Sequence, residues 1–225
     1  MSTLTSPVVN AVIDRLYADA EKQDRPLRES FEKMSPEERK RIFESQQADY
    51  RALYERMSSG YLAIPREFGT FVYLLARARN AKTLVEFGTS FGLSTIHLAA
   101  ALRDNGGGRV VTTEFIESKA ATARQNLEAA GLADLVEIRP GDALQSLAKG
   151  VGAPIDFVLL DGAKNLYVPI LKLLEPHLAA RAVIAADNTT DDSPHVLYVR
   201  NPANGYVSVG VPYPSGNEMS VWAGR

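Results

Sequence analysis

The chain has no cysteine among its 225 residues. That excludes a disulfide framework, a thiolate metal site and a thiol nucleophile. Histidine is scarce too: His97, His177 and His195 are the full set, and their spacing suits no metal site. Net charge is small, with Lys+Arg 25 against Asp+Glu 27 for a formal −2, so bulk charge offers nucleic acid no basic face. No apolar run approaches the roughly 20 residues that span a bilayer. The opening MSTLTSPVVNAVIDRLY lacks a basic start and a continuous apolar core, so no signal peptide is expected. Together these absences lead to the expectation of a soluble cytoplasmic protein that engages neither nucleic acid nor membrane.

The length suits one α/β domain with room for an additional element. Residues 1–60 read as a helical cap on that domain and residues 61–225 as its main body. In the cap, Val8, Val9, Val12, Ile13 and Leu16 recur at helical spacing. Asp24-Arg25-Pro26 is expected to interrupt the helix, because proline disfavours helix in its predecessor. Ser35-Pro36-Glu37-Glu38 predicts a new helix start, with Ser35 as cap, Pro36 in the first turn and Glu38 completing a capping box. Ile42, Phe43, Tyr50, Leu53, Tyr54 and Met57 then share one apolar face. Core packing is the first reading of that face, a lid or a dimer contact the second.

Residues 83–102 organise the rest. Thr83-Leu84-Val85-Glu86-Phe87 is β-branched and aromatic enough for a buried strand. Gly88-Thr89-Ser90-Phe91-Gly92 breaks it, and from Ser94 onward Ile96, Leu98, Ala99, Ala100 and Leu102 suit a helix on a sheet. Strand, glycine turn and helix bring backbone close to a ligand and aim unpaired N–H groups at a carboxylate or phosphate. The same turn occurs in many α/β proteins, so both readings stay open on this stretch alone. Its glycines run G-x-x-x-G, with Glu86 two residues ahead, and lack the dinucleotide spacing G-x-G-x-x-G.

From Ile64 helical and strand patterns alternate. Helices are predicted over 66–79, 118–130 (with Gly131 past its end), 143–147 and 168–178. Strands are predicted over 83–87, 109–114, 136–139, 155–161 and 182–187. This alternation implies right-handed crossovers and a doubly wound parallel sheet. Residues 206–211 and 219–222 flank a Pro- and Gly-rich turn and read as a hairpin. The predicted class is α/β, with a mostly parallel seven-stranded sheet, a C-terminal antiparallel hairpin and an N-terminal helical layer.

Ligands of such sheets bind beyond the carboxyl ends of the strands. Acidic residues stand at several of those ends: Glu114, Asp142, Asp161, and Asp187 with Asn188. Glu114 suits a ribose diol, accepting two hydrogen bonds. Asp142 suits the amino group of adenine, or equally a helix N-cap.

The run Ile155-Asp-Phe-Val-Leu-Leu-Asp161-Gly-Ala-Lys164-Asn-Leu-Tyr167, followed by Val183-Ile-Ala-Ala-Asp187-Asn188, adds a pattern. With the acidic-x-G-x-x-x-G turn, it resembles the metal-dependent class I S-adenosylmethionine-dependent O-methyltransferases typified by catechol and caffeoyl-CoA O-methyltransferases, especially small bacterial members. Their pattern is Asp-x-x-Lys-x-x-Tyr after strand four and Asp-Asn after strand five. The resemblance runs from about residue 64 to the C-terminus.

It implies a Rossmann-like fold, S-adenosylmethionine as cofactor, a small phenolic or vicinal-diol acceptor, and a homodimer. By the same resemblance Gly88 and Asp161 hold the cofactor's amino group, Ser94 and the Ile64 N–H its carboxylate, and Ser90 lines the methionine pocket. Asp142 and Ala143 take the adenine, and Glu86 belongs to the motif's architecture. Asp161, Asp187 and Asn188 form an all-oxygen metal site suited to Mg²⁺. Lys164, a surface residue if read alone, becomes the base that takes the acceptor's proton, beside Asp161.

Two departures bear on the acceptor. Gly162-Ala163 stands where catechol O-methyltransferase has an aromatic residue, and Tyr206-Val-Ser-Val-Gly210 carries no acidic residue where that enzyme has a catechol-contacting glutamate. His97 and His177 read as helix residues, and His195 as a candidate at the substrate entrance. The rival readings are a metal-free methyltransferase with another nucleophile and a nucleoside-binding protein without turnover.

Overall fold

The computed structural model describes residues 2–35, 37–38, 41–42, 50–152, 154–213 and 216–224, with Leu53 described by its backbone alone. At its centre lies β1 (Thr83–Phe87), buried at every position. β2 (Arg109–Glu114) and β3 (Val136–Pro140) continue the sheet on one side. β4 (Ile155–Leu160) and β5 (Leu178–Asp187) continue it on the other, all in parallel. β6 (Tyr206–Val211) and β7 (Asn217–Trp222) close it as an antiparallel hairpin. The strand order β3-β2-β1-β4-β5-β7-β6 is that of a doubly wound seven-stranded sheet.

The register places the functional edge. Phe87 at the end of β1 lies opposite Thr113 of β2 and Leu160 of β4, so three carboxyl ends share one rim. The chain leaves β1 toward β2 on one side and later returns through β4 on the other. That makes the β1–β4 crevice the topological switch point.

Alternate strand residues feed two apolar layers, as the period of two requires. Leu84, Val110 and Phe157 join the first layer with α1 (Pro7–Glu32), α3 (Arg66–Ala78), α4 (Leu93–Asp104) and α5 (Glu117–Ala129). Val85, Val111 and Val158 join the second with α6 (Ala143–Leu147), α7 (Tyr167–Leu174) and α8 (Pro194–Arg200). A short helix, α2 (Tyr50–Arg56), rests Tyr50 and Tyr54 on this second layer. Helices on both faces explain why the strands read as continuous apolar runs.

Pro26 does not end the first helix. α1 runs through it unbroken, against the predicted interruption. An interior proline costs about 3 kcal/mol. The buried side chains of α1 all precede Pro26 and residues 25–30 are exposed, so burial does not account for the turns beyond the proline. A second difference follows β4. The helix expected over 168–178 stops at Leu174, a single turn covers Glu175–His177, and β5 begins at Leu178. Pro176 has no N–H to continue the helical ladder, and Leu178 instead pairs with Ile155 ahead of a register shift.

The predicted capping box forms. The Glu38 N–H donates to Ser35 Oγ at 3.2 Å and the Ser35 N–H to the Glu38 carboxylate at 2.8 Å. Pro36, Phe43 and the Leu53 side chain lie outside the described residues. No helix among the described residues is long and apolar enough to cross a membrane.

Candidate active site

The turns that follow β1 and β4 touch. Gly88 has φ +107°, and a Cβ there would fall 2.4 Å from the Asp161 carbonyl oxygen. A Cβ on Gly162 would strike the Phe87 ring at 2.5 Å. Glycine at both positions lets the two backbones close up at the switch point. The rim is stitched by the Asp161 N–H donating to Phe87 O (2.8 Å), Gly88 N–H to Thr113 O (3.2 Å) and Gly141 N–H to Glu114 O (2.8 Å).

Beside these turns is an open cavity at the switch point, where ligands of such sheets bind. Gly88, Ser90, Glu114, Asp142, Ala143 and Asp161 line it, as the sequence reading requires of a cofactor site. Glu114 is fixed by the Ser90 N–H at 2.8 Å and the Ile116 N–H at 2.9 Å. Burial raises its pKa, opposed by those N–H groups and by Lys119. Of the two roles suggested for Asp142, the structure shows the helix cap. Oδ1 caps α6 by accepting the Leu144 N–H at 2.9 Å, while Oδ2 faces Arg51 at 2.7 Å and the Tyr50 hydroxyl at 3.4 Å.

Three predicted cofactor residues lie elsewhere. Glu86 is wholly buried under the turn, where the hydroxyls of Thr95 and Thr112 each donate to it at 2.5 Å. Ser94 is buried and does not line the cavity. The reason is the helix start: Gly92 is the N-cap of α4, which leaves Ser94 one residue inside the helix. Ile64 is buried and lines a second cleft, walled by α1 and by the 62–66 segment, with Asp187 and Asn188 at its far side.

Asp161 joins the cavity to this second cleft. Its carboxylate is close enough to Asp187 to feel that charge, and its Oδ1 lies 3.4 Å from Lys164 Nζ. Burial raises the Asp161 pKa well above the ordinary value, with Asp187 adding to the effect and Lys164 opposing it. Burial raises Asp187 as well, against Lys164 and hydrogen bonds from Asn217 and the Asn188 backbone. Lys164 Nζ is also 2.8 Å from the Tyr167 hydroxyl, which donates to the Asp187 carbonyl at 3.0 Å. Asn188 has φ +53°, a conformation asparagine tolerates better than most residues, and its side chain is exposed at the cleft.

Two adjoining buried carboxylates facing one lysine carry an excess of negative charge that a hard cation would balance. The Asn188 amide is a neutral oxygen donor beside them. Among the described residues no three His, Cys, Asp or Glu side chains cluster as a metal site. The donor set that fits a cation is therefore two carboxylates and an amide, matching oxygen-preferring Mg²⁺ rather than zinc.

His195 is not at an entrance. It is buried on α8, with its ring edge-on to Tyr167 at 5.7 Å and neither ring nitrogen hydrogen-bonded. His97 lies inside α4, as expected, and His177 in the turn after α7. Sequence reasoning missed Leu62, Phe115 and Lys119 on the cavity wall. It also assigned Tyr50 and Tyr54 to core packing first, although both line the cavity. Their helical apolar pattern carries no signal that separates a roof from a core face.

The geometry meets independent comparisons. A family model described as a methyltransferase domain matches residues 85–189. A catechol O-methyltransferase from Mycobacterium tuberculosis is 39% identical over 127 residues, 56% of this chain and 57% of that one. A second, from Niastella koreensis, is 37% identical over 128 residues. The chain thus spans 57% of the length of these curated relatives. Among solved structures, the O-methyltransferase TomG from Streptomyces achromogenes, in complex with SAM, is 30% identical, with a TM-score of 0.62 over 72% of this chain and 82% of that one. An O-methyltransferase from Bacillus cereus, in complex with SAH, is 28% identical, with a TM-score of 0.64 over 79% and 90%. Fold, strand-end acids and these likenesses agree: the chain belongs to the class I S-adenosylmethionine-dependent O-methyltransferases, and its curated relatives include catechol and caffeoyl-CoA enzymes.

Proposed function

We propose that this protein transfers a methyl group from S-adenosylmethionine to a hydroxyl of a small phenolic or vicinal-diol acceptor, with a divalent ion, Mg²⁺ by donor type, held by Asp161, Asp187 and Asn188. The observation that carries this reading is Asp161, which lines the first cavity, pairs with Lys164 and feels the charge of Asp187 from the second cleft.

The bound cofactor supplies a sulfonium methyl open to in-line attack. A bound divalent ion supplies positive charge that acidifies an adjacent hydroxyl. The chain's own residues do the rest. Glu114 accepts the ribose hydroxyls, Asp142 and Ala143 border the adenine, and Gly88 with Asp161 holds the amino group. Lys164 Nζ takes the acceptor's proton. The Tyr167 phenol, its O–H donated in a hydrogen bond to the Asp187 carbonyl, accepts an N–H from Lys164 and so aims the amine. Positioning supplies much of the remaining rate. The cytoplasmic compartment and the homodimer belong to the same reading and are open to fractionation and sedimentation.

The test is methyl transfer from labelled S-adenosylmethionine to a panel of catechols and hydroxycinnamoyl thioesters, with and without chelator. Transfer to vicinal diols that chelator abolishes supports the reading. Tight NAD binding without transfer to any hydroxyl would overturn it.

A further inference from the structure

The segment between α2 and α3 is pinned from three sides. Asp24, buried in the middle of α1, accepts the N–H of Tyr61 at 2.7 Å and of Leu62 at 2.9 Å. Lys119 Nζ donates to Gly60 O at 2.6 Å, and Ser90 Oγ donates to Tyr61 O at 2.7 Å. Between these anchors Leu62 has φ +49°. A branched apolar residue seldom adopts that conformation, and it persists only where the surroundings over-determine it. Leu62 also borders both the cofactor cavity and the cleft that reaches Asp187 and Asn188. The strain is therefore held at the wall between the two spaces.

We infer that Asp24 is a positioning residue for methyl transfer: its carboxylate holds Leu62 in the left-handed conformation that makes this side chain the partition between cofactor and acceptor. The inference rests on the proposed assignment of those two spaces. One carboxylate with two acceptor oxygens suits two successive N–H groups. An amide offers one oxygen and turns its NH₂ toward a donor. α1 thus acts on the reaction without touching either reactant.

The experiment compares Asp24→Asn, Leu62→Gly and the double variant in the full-length protein. Leu62→Gly keeps the backbone at ease with a positive φ but removes the partition. In Asp24→Asn, kcat is expected to fall about 10–100-fold, the scale of a small misplacement of reacting groups. The Kd for S-adenosylhomocysteine and the KM for the acceptor should each stay within about 3-fold, on the reading that the lost interaction acts in the transition state. On a Leu62→Gly background, Asp24→Asn should cost little more, because its target is gone. Amide hydrogen exchange adds a readout free of turnover: Tyr61 and Leu62 should be protected in the wild type and lose protection in Asp24→Asn. Native kcat in Asp24→Asn, equal losses on both backgrounds, or unchanged protection would each overturn the positioning role while the wild type stays active. A wild type that transfers no methyl group would instead overturn the assignment of the two spaces, and this role with it.

Discussion

The Tyr167 hydroxyl stands between Lys164 and Asp187, 2.8 Å from the Lys164 amine and 3.0 Å from the Asp187 carbonyl oxygen. Its ring is buried and packs edge-on against Phe87 and His195. Packing thus fixes the phenol, and the phenol fixes the amine. Tyr167→Phe keeps the ring and removes only the hydroxyl. Turnover should fall roughly 10–100-fold, the worth of one hydrogen bond to a charged partner. In a Lys164→Ala background the same change should add nothing. Equal effects in both backgrounds would mean that Tyr167 acts elsewhere.

Glu114 bears on cofactor choice. Its carboxylate is oriented by the Ser90 and Ile116 N–H groups, and it lines the cavity. Glu114→Gln leaves one acceptor oxygen and sets an NH₂ against those donors. Affinity for S-adenosylhomocysteine should drop about 10–100-fold, as for charged hydrogen bonds. Calorimetry should find no NAD binding in wild type or variant. Unchanged affinity in the variant would remove Glu114 from the cofactor site.

Acid sensitivity follows from two buried histidines. Burial pushes His97 and His195 down to about 4 from 6.5. The unfolded chain takes up these protons below pH 6.5, whereas the fold resists them until about pH 4. The stability the histidines contribute is complete above pH 6.5 and is lost as pH falls toward 4, on the order of 3 kcal/mol for each. The ring nitrogens of His195 have no partner, so His195→Phe forfeits no protein hydrogen bond. Between pH 7 and 5 the wild type should lose roughly 2 kcal/mol more unfolding free energy than His195→Phe. Parallel urea curves at both pH values would refute this.

The local features of the site were legible because they are short-range. The Gly88 turn, the acids at strand ends and the Asp161–Lys164–Tyr167 spacing each fit inside one strand–turn–helix unit, whose geometry the sequence dictates. What stayed hidden depends on contacts distant in the chain. Asp24 meets Tyr61 and Leu62 across more than thirty residues, and nothing in DAEKQD marks that aspartate as buried. Pro26 misled because its local preference does not end α1, although the turns beyond it are exposed. Ser94 lies one residue inside a helix that begins at Leu93, a shift too small to read from the sequence.

Metal assistance can be separated from metal-free transfer by three substitutions, because the three side chains occupy different places. Asp187 lines the second cleft and not the cavity at Gly88 and Glu114. Asp187→Ala should therefore abolish Mg²⁺-dependent turnover while leaving cofactor affinity nearly intact. Asp161 lines that cavity and feels the charge of Asp187, so Asp161→Ala should damage both. Lys164→Ala should lower kcat by roughly 10²–10⁴, the range of a positioned acid or base, with little change in either binding constant. Removing Asp187 also relieves one of two adjoining buried carboxylates whose ionised forms burial disfavours. The metal-free Asp187→Ala protein should then melt no lower than the wild type in chelator, while Mg²⁺ raises the melting temperature of the wild type alone. Full turnover in excess chelator, or a Mg²⁺-dependent melting shift that survives Asp187→Ala, would leave a metal-free methyltransferase as the better account.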